Sequence, residues 1–442
     1  MKFKVLSTVA AAACVLAVNI QAQTVSTFAG AGGTGYVNGS LLTAKFGGLE
    51  QMAYDKNGNL LVCDAPNHCI RKIDAKGNVS TFAGSGQAGF VNGNSATAQF
   101  NNPLGIAVDE MNNVYVADNL NFVIRKIDTQ GNVTTYAGSG EQGYSDGNGM
   151  SAKFSYLNYM CVDNAMNLYV ADPNNNVVRK IDSKQNVTTF VGSGKDALTD
   201  GVGTSAELSF PIAIAFDARN NVFYISDQGN SAIRKALPDG TLTTYAGTGK
   251  IGHADGQAQQ AKFYFPKGIS VDKAGNVYVA GRFDYTVRKI DTYGNVSTVA
   301  GTPHVSGNSN GESTAVKFGK PIEVLVAQDG NLLVADWVNS TIRKIELPVV
   351  ASASSVEYKN TVQMQVVPNP VATSAVIKVE GLTAKETLSF MMFDINGKQV
   401  NVKNTISGNQ VMLERGDLSS GVYFFKILQN GKVIGMEKLV LE

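Results

Sequence analysis

Apolar and polar positions alternate in short runs along most of this chain. Between residues 105 and 137, four apolar runs (105–108, 114–117, 123–127 and 133–137) are separated by polar turns. Val, Ile, Tyr and Thr fill these runs, and such residues suit half-buried strands. Each run is short and bounded by Gly, Asn or Asp, so the pattern predicts four antiparallel strands.

The same unit occurs six times. An (Ile/Val)-Arg-Lys sequence marks the third strand of every unit, and its arginines are spaced 54 or 55 residues apart: Arg71, Arg125, Arg179, Arg234, Arg288 and Arg343. Four-stranded sheets repeated around an axis form a β-propeller. The sequence therefore predicts an all-β fold with a six-bladed β-propeller over residues 23–347.

The two ends of the repeat array complement each other. Residues 24–30 have the sequence of a fourth strand with no unit before it, whereas the last unit ends near Leu347 without a fourth strand. We predict that the N-terminal strand pairs with residues 341–345 and closes the ring. This pairing would cover two free sheet edges that otherwise promote aggregation.

A second all-β pattern occupies the C-terminal end. The repeats stop at residues 348–365, where an Ala-Ser run at 351–355 is typical of a linker. Residues 366–442 then contain short apolar runs separated by turns. Their number and length predict a small β-sandwich.

The first 22 residues have the features of a signal peptide. Lys2 and Lys4 precede an apolar stretch at 5–18, and Ala22 offers a small residue for cleavage. No other apolar run approaches the ~20 residues of a membrane helix, so we expect no membrane span in the mature protein. Net charge is +1 without a basic stripe, which argues against nucleic acid as a partner.

Three cysteines remain after such a cleavage, an odd number that does not form a disulfide scaffold. Cys63 and Cys69 flank a hairpin connection, so a cross-strand bridge between them stays open. Cys161 occupies the place of Ala107 in another unit and is predicted to be a small buried residue.

The repeat resembles that of the NHL family of propellers. Asp-x-x-Asn-x-x-(Ile/Val)-Arg-Lys follows Gly-Asn-Val-Tyr-Val-Ala and Pro-x-Gly-Ile-Ala-Val-Asp, and variants of this order recur from residue 24 to about 347. The resemblance implies the propeller fold. For function it implies a protein or RNA binder or, in other relatives, a lyase or lactonase.

Residues 366–442 are similar to the C-terminal sorting domain of the type IX secretion system, type A. The motifs that carry the similarity are Pro-Asn-Pro at 368–370, Asp-x-x-Gly-Lys at 394–398, Gly-Val-Tyr-Phe at 421–424 and Lys-Leu-Val at 438–440. The resemblance implies the export machinery as a partner. It also implies a protein that is secreted or attached to the outer surface of a Gram-negative cell. An accessory sandwich that binds a ligand is the alternative.

An aspartate precedes the repeated arginine by seven residues in five of the six units: Asp64, Asp118, Asp172, Asp227 and Asp336. We expect a charge-assisted pair across the hairpin and leave a bidentate geometry open. A pair present in every blade is interpreted as structural. The fifth unit has Gly281 in this place and Asp284 nearby, and whether Asp284 rescues Arg288 is open.

Residues that differ between blades are better candidates for a site. The innermost strands should line the axial mouth with their first residues, which are Glu50, Leu104, Asn158, Ile212, Lys267 and Ile322, followed by Gln51, Gly105, Tyr159, Ala213, Gly268 and Glu323. The candidate ligand residues are the polar members: Glu50, Gln51, Asn158, Tyr159, Lys267 and Glu323. A charge-neutral plug of Lys267 with the two glutamates is favoured, and a ligand-orienting or catalytic site is the alternative.

A second candidate site lies on the loops around the mouth. Trp337, the single tryptophan, falls between the second and third strands of the last blade, and the corresponding loop of the fifth blade carries Arg282. An exposed Trp beside an Arg suits stacking on a glycan or contact with a protein. Packing of Trp337 on its own hairpin is the alternative.

No catalytic residue, metal site or cofactor is predicted. Apolar side chains at three of the mouth positions remove oxygen ligands, and Lys267 would repel a cation. His68, His253 and His304 fall in loops and are predicted to be solvated, because a zinc site would need three loops to converge. The sequence does not indicate a Ser-His-Asp or Cys-His catalytic grouping.

The sequence thus favours an exported binding or scaffold module for an extracellular protein or glycan. A lactonase- or lyase-like enzyme that uses the axial mouth is the first alternative. A purely structural surface protein is the second.

Overall fold

The computed structural model describes residues 23–347, 362–380, 388–394, 399–429 and 432–441. The chain divides into two compact units, Met1–Pro348 and Val349–Glu442. Helical structure in the described ranges is limited to four 3-10 turns: Ala65–Asn67, Asn119–Asn121, Pro173–Asn175 and Gly203–Ser205. The fold class is all-β, as predicted. No helix within these ranges is long and apolar enough to cross a membrane. The predicted signal peptide and most of the predicted linker lie outside the described residues.

The first unit contains six sheets of five strands each. In chain order the strands are β1 (Thr24–Ala29), β2 (Gly39–Ser40), β3 (Leu49–Tyr54), β4 (Leu60–Asp64), β5 (Cys69–Ile73), β6 (Asn78–Ala83), β7 (Gly93–Asn94), β8 (Pro103–Val108), β9 (Val114–Asp118), β10 (Val123–Ile127), β11 (Asn132–Ala137), β12 (Gly147–Asn148), β13 (Met160–Val162), β14 (Leu168–Asp172), β15 (Val177–Ile181), β16 (Asn186–Val191), β17 (Gly201–Val202), β18 (Pro211–Asp217), β19 (Val222–Asp227), β20 (Ala232–Ala236), β21 (Thr241–Ala246), β22 (Gly256–Gln257), β23 (Pro266–Val271), β24 (Val277–Gly281), β25 (Thr286–Ile290), β26 (Asn295–Ala300), β27 (Gly311–Glu312), β28 (Pro321–Val326), β29 (Leu332–Asp336) and β30 (Thr341–Glu346).

Each sheet has one strand more than the four predicted. Sheet 1 has the order β2-β6-β5-β4-β3, sheets 2 to 5 repeat this order, and sheet 6 has the order β27-β1-β30-β29-β28. The additional strand is the two-residue outer strand, which comes from the loop between units. A segment of two residues that begins with Gly is too short to show an apolar alternation, so the sequence pattern could not reveal this strand.

The six sheets contact one another in a ring. The inner edge strands β3, β8, β13, β18, β23 and β28 each contact the next, and β28 contacts β3. Each neighbouring pair of sheets also shares a buried apolar cluster, and the cluster of sheets 6 and 1 joins Ile322 to Met52. Burial on both faces explains why the second strand of every sheet is mostly apolar up to its last residue.

The N-terminal strand lies in sheet 6. β1 runs antiparallel to β30, with Val25 opposite Ile345 and Thr27 opposite Arg343, and its other edge pairs with β27. Val25 and Ala29 are buried in clusters with residues of sheets 5, 6 and 1. The edge of β30 is therefore covered by a strand from the opposite end of the unit.

Each repeated arginine is fully buried between two sheets. Arg125 Nη1 donates to Asp118 Oδ2 at 2.9 Å, and its Nη2 donates to Asn92 Oδ1 at 2.7 Å. The rings of Phe90 and Phe100 lie 5.1 Å from the guanidinium carbon, one on the inter-sheet loop and one near its end. Asp118 thus accepts a hydrogen bond from only one guanidinium nitrogen, so a bidentate pair does not form. The second nitrogen instead fixes the loop between sheets.

Sheet 5 replaces the missing aspartate from the loop. A Cβ on Gly281 would collide with the carboxylate of Asp284, so Asp284 occupies the space of the absent side chain. Its Oδ2 lies 3.9 Å from Arg288 Nη1 and 3.0 Å from His253 Nδ1. Asp284 therefore takes over the pairing, at a longer distance and with His253 beside it. Arg288 also pairs with Asp255 on the loop between sheets.

The three cysteines among the described residues, Cys63, Cys69 and Cys161, are free. In the β4–β5 ladder Cys63 lies opposite Ile70, and Asp64 lies opposite Cys69. Neighbouring ladder positions point to opposite faces of a sheet, so Cys63 and Cys69 cannot form the cross-strand bridge that the sequence left open. Cys161 packs beside the apolar cluster of sheets 3 and 4.

The second unit contains two four-stranded sheets, β31-β32-β36-β35 and β34-β33-β37-β38. The strands are β31 (Gln363–Val367), β32 (Ser374–Glu380), β33 (Leu388–Asp394), β34 (Gln399–Val400), β35 (Lys403–Ser407), β36 (Gln410–Glu414), β37 (Gly421–Gln429) and β38 (Lys432–Leu441). Ile377 and Leu413 of one sheet and Phe425 and Leu439 of the other belong to one buried cluster. The two sheets therefore share one core. Most of the Asp-x-x-Gly-Lys motif, residues 395–398, lies outside the described residues.

Candidate functional site

A cavity of about 280 Å³ opens where the six inner strands begin. The first mouth position of every sheet lines it: Glu50, Leu104, Asn158, Ile212, Lys267 and Ile322. The structure thus brings together the six positions that the repeat alignment grouped. We name this space the mouth cavity.

The two candidate sites form one cavity. Loops after the second strands contribute Ala65, Pro66, Arg282 and Trp337, and the residues just before the inner strands contribute Asn102, Tyr156, Phe210 and Lys320. The sequence placed Trp337 and Arg282 in a separate site on the face of the propeller. This separation was wrong, because the loops fold inward over the start of the inner strands.

The base of the mouth cavity is an ion pair between alternate sheets. Glu50 Oε2 accepts a 2.6 Å hydrogen bond from Lys267 Nζ and a 2.9 Å bond from the hydroxyl of Tyr159. Lys267 Nζ also lies 5.0 Å from the centre of the Tyr159 ring. All three residues are nearly inaccessible to solvent. They tie sheets 1, 3 and 5 together across the axis, and Tyr159 acts as a strut of this base.

Glu323 lies beside this ion pair but outside the lining of the cavity. Its side chain is buried, its Oε2 has no hydrogen-bond partner, and that oxygen lies close to Gly268. Burial raises the pKa of Glu323 well above its usual range, and the negative charge of Glu50 adds to this, against the opposing effect of Lys267. Burial therefore favours the neutral form of the Glu323 carboxyl group, and the ion pair of Lys267 is with Glu50.

Replacing Glu323 with glutamine is expected to stabilise the protein at pH 7–8 and to change little near pH 4. Because the pKa of Glu323 is raised in the folded protein, the folded protein retains a proton that the unfolded chain releases. The free energy of unfolding therefore falls as pH rises above the ordinary pKa of a glutamate. Glutamine mimics the neutral acid at every pH. Denaturation curves across pH would check the result, and equal pH dependence in the two proteins would contradict it.

Gln51 is a structural residue, which corrects its prediction as a ligand residue. Its Oε1 accepts hydrogen bonds from the backbone N–H of Ile106 and Met160, and its Nε2 donates to the carbonyl of Met160. The amide thus joins the inner strands of sheets 1, 2 and 3. Both acceptor positions of the oxygen and one of the two N–H donors of this side chain bond to neighbouring strands.

Two cations of the mouth cavity have no acidic partner. Within the described residues, neither the Arg282 guanidinium nor the Lys320 ammonium forms an ion pair or a side-chain hydrogen bond, and Arg282 Nε is buried without a partner. Lys320 Nζ lies 4.9 Å from the ring centre of Phe283, and the Arg282 guanidinium carbon lies 5.1 Å from it. Burial lowers the pKa of Lys320, and the positive charges of Arg282 and Lys267 lower it further.

Aromatic rings form the rim. Tyr156 and Phe210 are stacked with ring centres 6.2 Å apart, and Trp337 remains 39% exposed. A Cβ added to Gly48 of sheet 1 would lie only 2.9 Å from Trp337 Nε1. The indole of Trp337 therefore packs against the neighbouring sheet. Lys320 Nζ lies 5.5 Å from the indole ring. Trp337 therefore crosses to sheet 1 and does not pack on its own hairpin alone.

The alignment of the repeats contained a signal for the residues that were missed. The position two residues before the first mouth residue varies among the units and is Gly48, Asn102, Tyr156, Phe210, Phe265 and Lys320. Four of these six residues line the mouth cavity. Variation two positions before the first mouth residues would have identified them.

The three histidines do not converge on a metal. Among the described residues, no group of three or more His, Cys, Asp or Glu is placed to hold an ion. His68 Nδ1 accepts the backbone N–H of Asn102, and His253 is largely buried between Asp284 and Thr298. The prediction that all three are solvated was therefore wrong for His253, which pairs with the Asp284 carboxylate that replaces the missing aspartate in sheet 5.

Comparison with known families agrees with both parts of the chain. Residues 100–126 match the NHL repeat, and residues 365–442 match the secretion system C-terminal sorting domain. The NHL repeat-containing protein 2 of Gallus gallus is 27% identical over 335 residues, which cover 67% of this chain and 46% of the relative. This chain spans less than half the length of the curated relatives that it matches.

Solved structures support the same fold. A protein of unknown function from Bacteroides thetaiotaomicron superposes with a TM-score of 0.57 at 23% identity, covering 73% of this chain and 76% of the other. An auxiliary nutrient binding protein from the same organism gives 0.57 at 18% identity, with coverages of 74% and 76%. The fold and the repeat define an NHL-repeat β-propeller. The chain couples this propeller to a C-terminal sorting domain of the type IX secretion system, which confirms the recognition made from sequence.

Proposed function

We propose that this protein is an exported binding module, and that the mouth cavity holds its ligand. The observation that carries the proposal is the contrast between the base and the rim of the cavity. At the base, Lys267 is neutralised by Glu50. At the rim, Arg282 and Lys320 have no acidic partner among the described residues, and Trp337 is exposed. Unpaired polar groups that converge with rings in a concave pocket are typical of a binding site.

The propeller provides a rigid support for this cavity. We infer that the six sheets are the blades of one propeller closed by β1. The pairing of β1 with β30 and the six shared clusters support this arrangement. Residues from all six blades then line one cavity, so a ligand would be held by elements that cannot move independently.

A binding role is favoured over catalysis. A general base must reach the ligand with a free lone pair near a neutral pKa. Glu50 Oε2 is occupied by Lys267 and Tyr159, and Glu323 lies outside the cavity lining. Some solved proteins of this fold are described as auxiliary nutrient binding proteins, which agrees with a binding role. Since Trp337 is the single tryptophan, its fluorescence reports on occupancy of the cavity and tests this role directly.

The sorting domain indicates secretion through the type IX system. We propose that the mature protein is released or attached to the outer cell surface. The predicted signal peptide would carry the chain across the inner membrane, and the second unit would direct it across the outer membrane.

Removal of residues 366–442 is expected to retain the propeller inside the cell envelope while its fold is kept. Cell fractionation with an antibody against the propeller would measure export, and protease resistance of the retained protein would confirm folding. The Glu323→Gln full-length protein is a control that should be exported normally. A truncated protein found outside the cell at the normal level would contradict the sorting role.

A further inference from the structure

The rim of the mouth cavity carries positive charge that the protein leaves uncompensated. Three cations and one carboxylate line the cavity, and that carboxylate, Glu50, is bonded to Lys267. Arg282 and Lys320 come from neighbouring sheets, and the charged group of each lies about 5 Å from the centre of the Phe283 ring. The positive charge of Arg282 lowers the pKa of Lys320, so the two like charges repel each other, and an anion bound in the cavity beside both would offset this repulsion.

The remaining lining suits a hydroxylated ring. Trp337, Tyr156 and Phe210 offer flat apolar surfaces, and Asn102 and Asn158 offer amides. Asn158 Oδ1 accepts the backbone N–H of Tyr159, which leaves its NH₂ group without a partner among the described residues. Amide donors recognise hydroxyl oxygens, whereas aromatic faces cover C–H surfaces.

The size of the cavity limits the ligand. Ligand pockets usually measure roughly 300–1,000 Å³, and the mouth cavity measures about 280 Å³. One six-membered ring with its substituents fits this space, whereas a folded protein surface would be excluded from its depth.

We propose that the mouth cavity binds an acidic sugar, with the carboxylate of a hexuronate ring held by Arg282 and Lys320 and its apolar face covered by Trp337. This assignment rests on the proposed binding role of the cavity and adds the class of ligand. The hydroxyl groups of the sugar would contact Asn102 and Asn158. A carboxylate matches the fork of an arginine, so Arg282 is the main determinant of charge.

Titration of Trp337 fluorescence, with calorimetry in parallel, tests the assignment. The probes are glucuronate, galacturonate, glucose, sodium sulfate and the dipeptide Gly-Glu. We expect at least one uronate to bind about tenfold more tightly than each other probe, and more weakly as salt is added. Arg282→Ala and Lys320→Ala should each weaken uronate binding by about tenfold.

Matched controls lie at the other end of the strands. Arg219→Ala and Lys76→Ala remove exposed cations from turns that do not line the mouth cavity. These changes should alter the affinity for uronate by less than about twofold. Trp337→Ala, followed by calorimetry, should lose uronate binding, whereas Tyr293→Ala removes a 67% exposed ring elsewhere and should retain it.

The outcomes separate the two claims. Glucose, sulfate or Gly-Glu bound as tightly as the uronates would overturn the acidic-sugar assignment. If that binding were lost in Trp337→Ala, the cavity would still be a binding site. Uronate bound equally by all variants would place the site elsewhere and overturn both claims. Absence of uronate binding in the unmodified protein would overturn the assignment alone.

Discussion

Asp118→Ala is expected to destabilise the protein by about 3–5 kcal/mol, because it leaves the fully buried Arg125 without any anion. The other groups on this guanidinium are the neutral Asn92 side chain and two backbone carbonyls. The Asp118 carboxylate also accepts the backbone N–H of Asn101 and the amide of Asn121, and both donors would lose their acceptor. Removing one partner of a buried ion pair is far more costly than replacing both.

The matched control is the same change in the next blade. Arg179 pairs with Asp172 and also with Asp146, whose carboxylate is 2.6 Å from Nη2 and about half exposed. Asp172→Ala should therefore cost about 1–3 kcal/mol, and adding Asp146→Asn should raise the cost toward that of Asp118→Ala. Chemical denaturation would measure all three. Equal losses for Asp118→Ala and Asp172→Ala would show that the second acid does not compensate.

Deletion of residues 24–29 is expected to lower the free energy of unfolding by several kcal/mol, on the order of 3–5. β1 pairs with both β27 and β30, and its loss would expose the edge of the last blade and the cluster around Val25 and Ala29. Aggregation of the deleted protein is expected as well, since an open edge accepts other strands.

Two point variants separate closure from a nonspecific effect of truncation. Val25→Asp places an unpaired charge in a buried position and should destabilise strongly, whereas Ser26→Asp on the exposed face of the same strand should change stability by about 0.5 kcal/mol or less. A deletion that leaves the melting temperature unchanged would mean that β1 does not close the ring.

The all-β fold and its repeated sheets could be predicted from sequence because the units repeat the same physical demands. The buried arginine recurs at a fixed spacing, its acid recurs in five of the six units, and each unit has the mostly apolar second strand that burial on both faces requires. The two-residue outer strands could not be predicted, since residues such as Gly93 and Asn94 have no periodicity. The replacement of an aspartate by Asp284 and His253 also depends on how a loop folds back, which spacing does not encode.

The candidate site was predicted in part. Glu50 and Lys267 were identified because their types differ from blade to blade, and the structure pairs them. Gln51 has the same kind of signal, yet its amide turns to the backbone of neighbouring strands. Trp337 and Arg282 were identified but separated from the mouth, because sequence does not show the direction in which a loop leans.

The central claim is that the mouth cavity is where this protein binds its ligand. Emission of Trp337, measured while fractionated extracellular saccharides and peptides are added, tests this most directly because no other tryptophan contributes. The account predicts a saturable change in Trp337 emission with at least one fraction, and loss of that change in the Arg282→Ala/Lys320→Ala double variant. A ligand that stabilises the protein against heat while Trp337 emission stays constant, or that acts equally on the double variant, would contradict it.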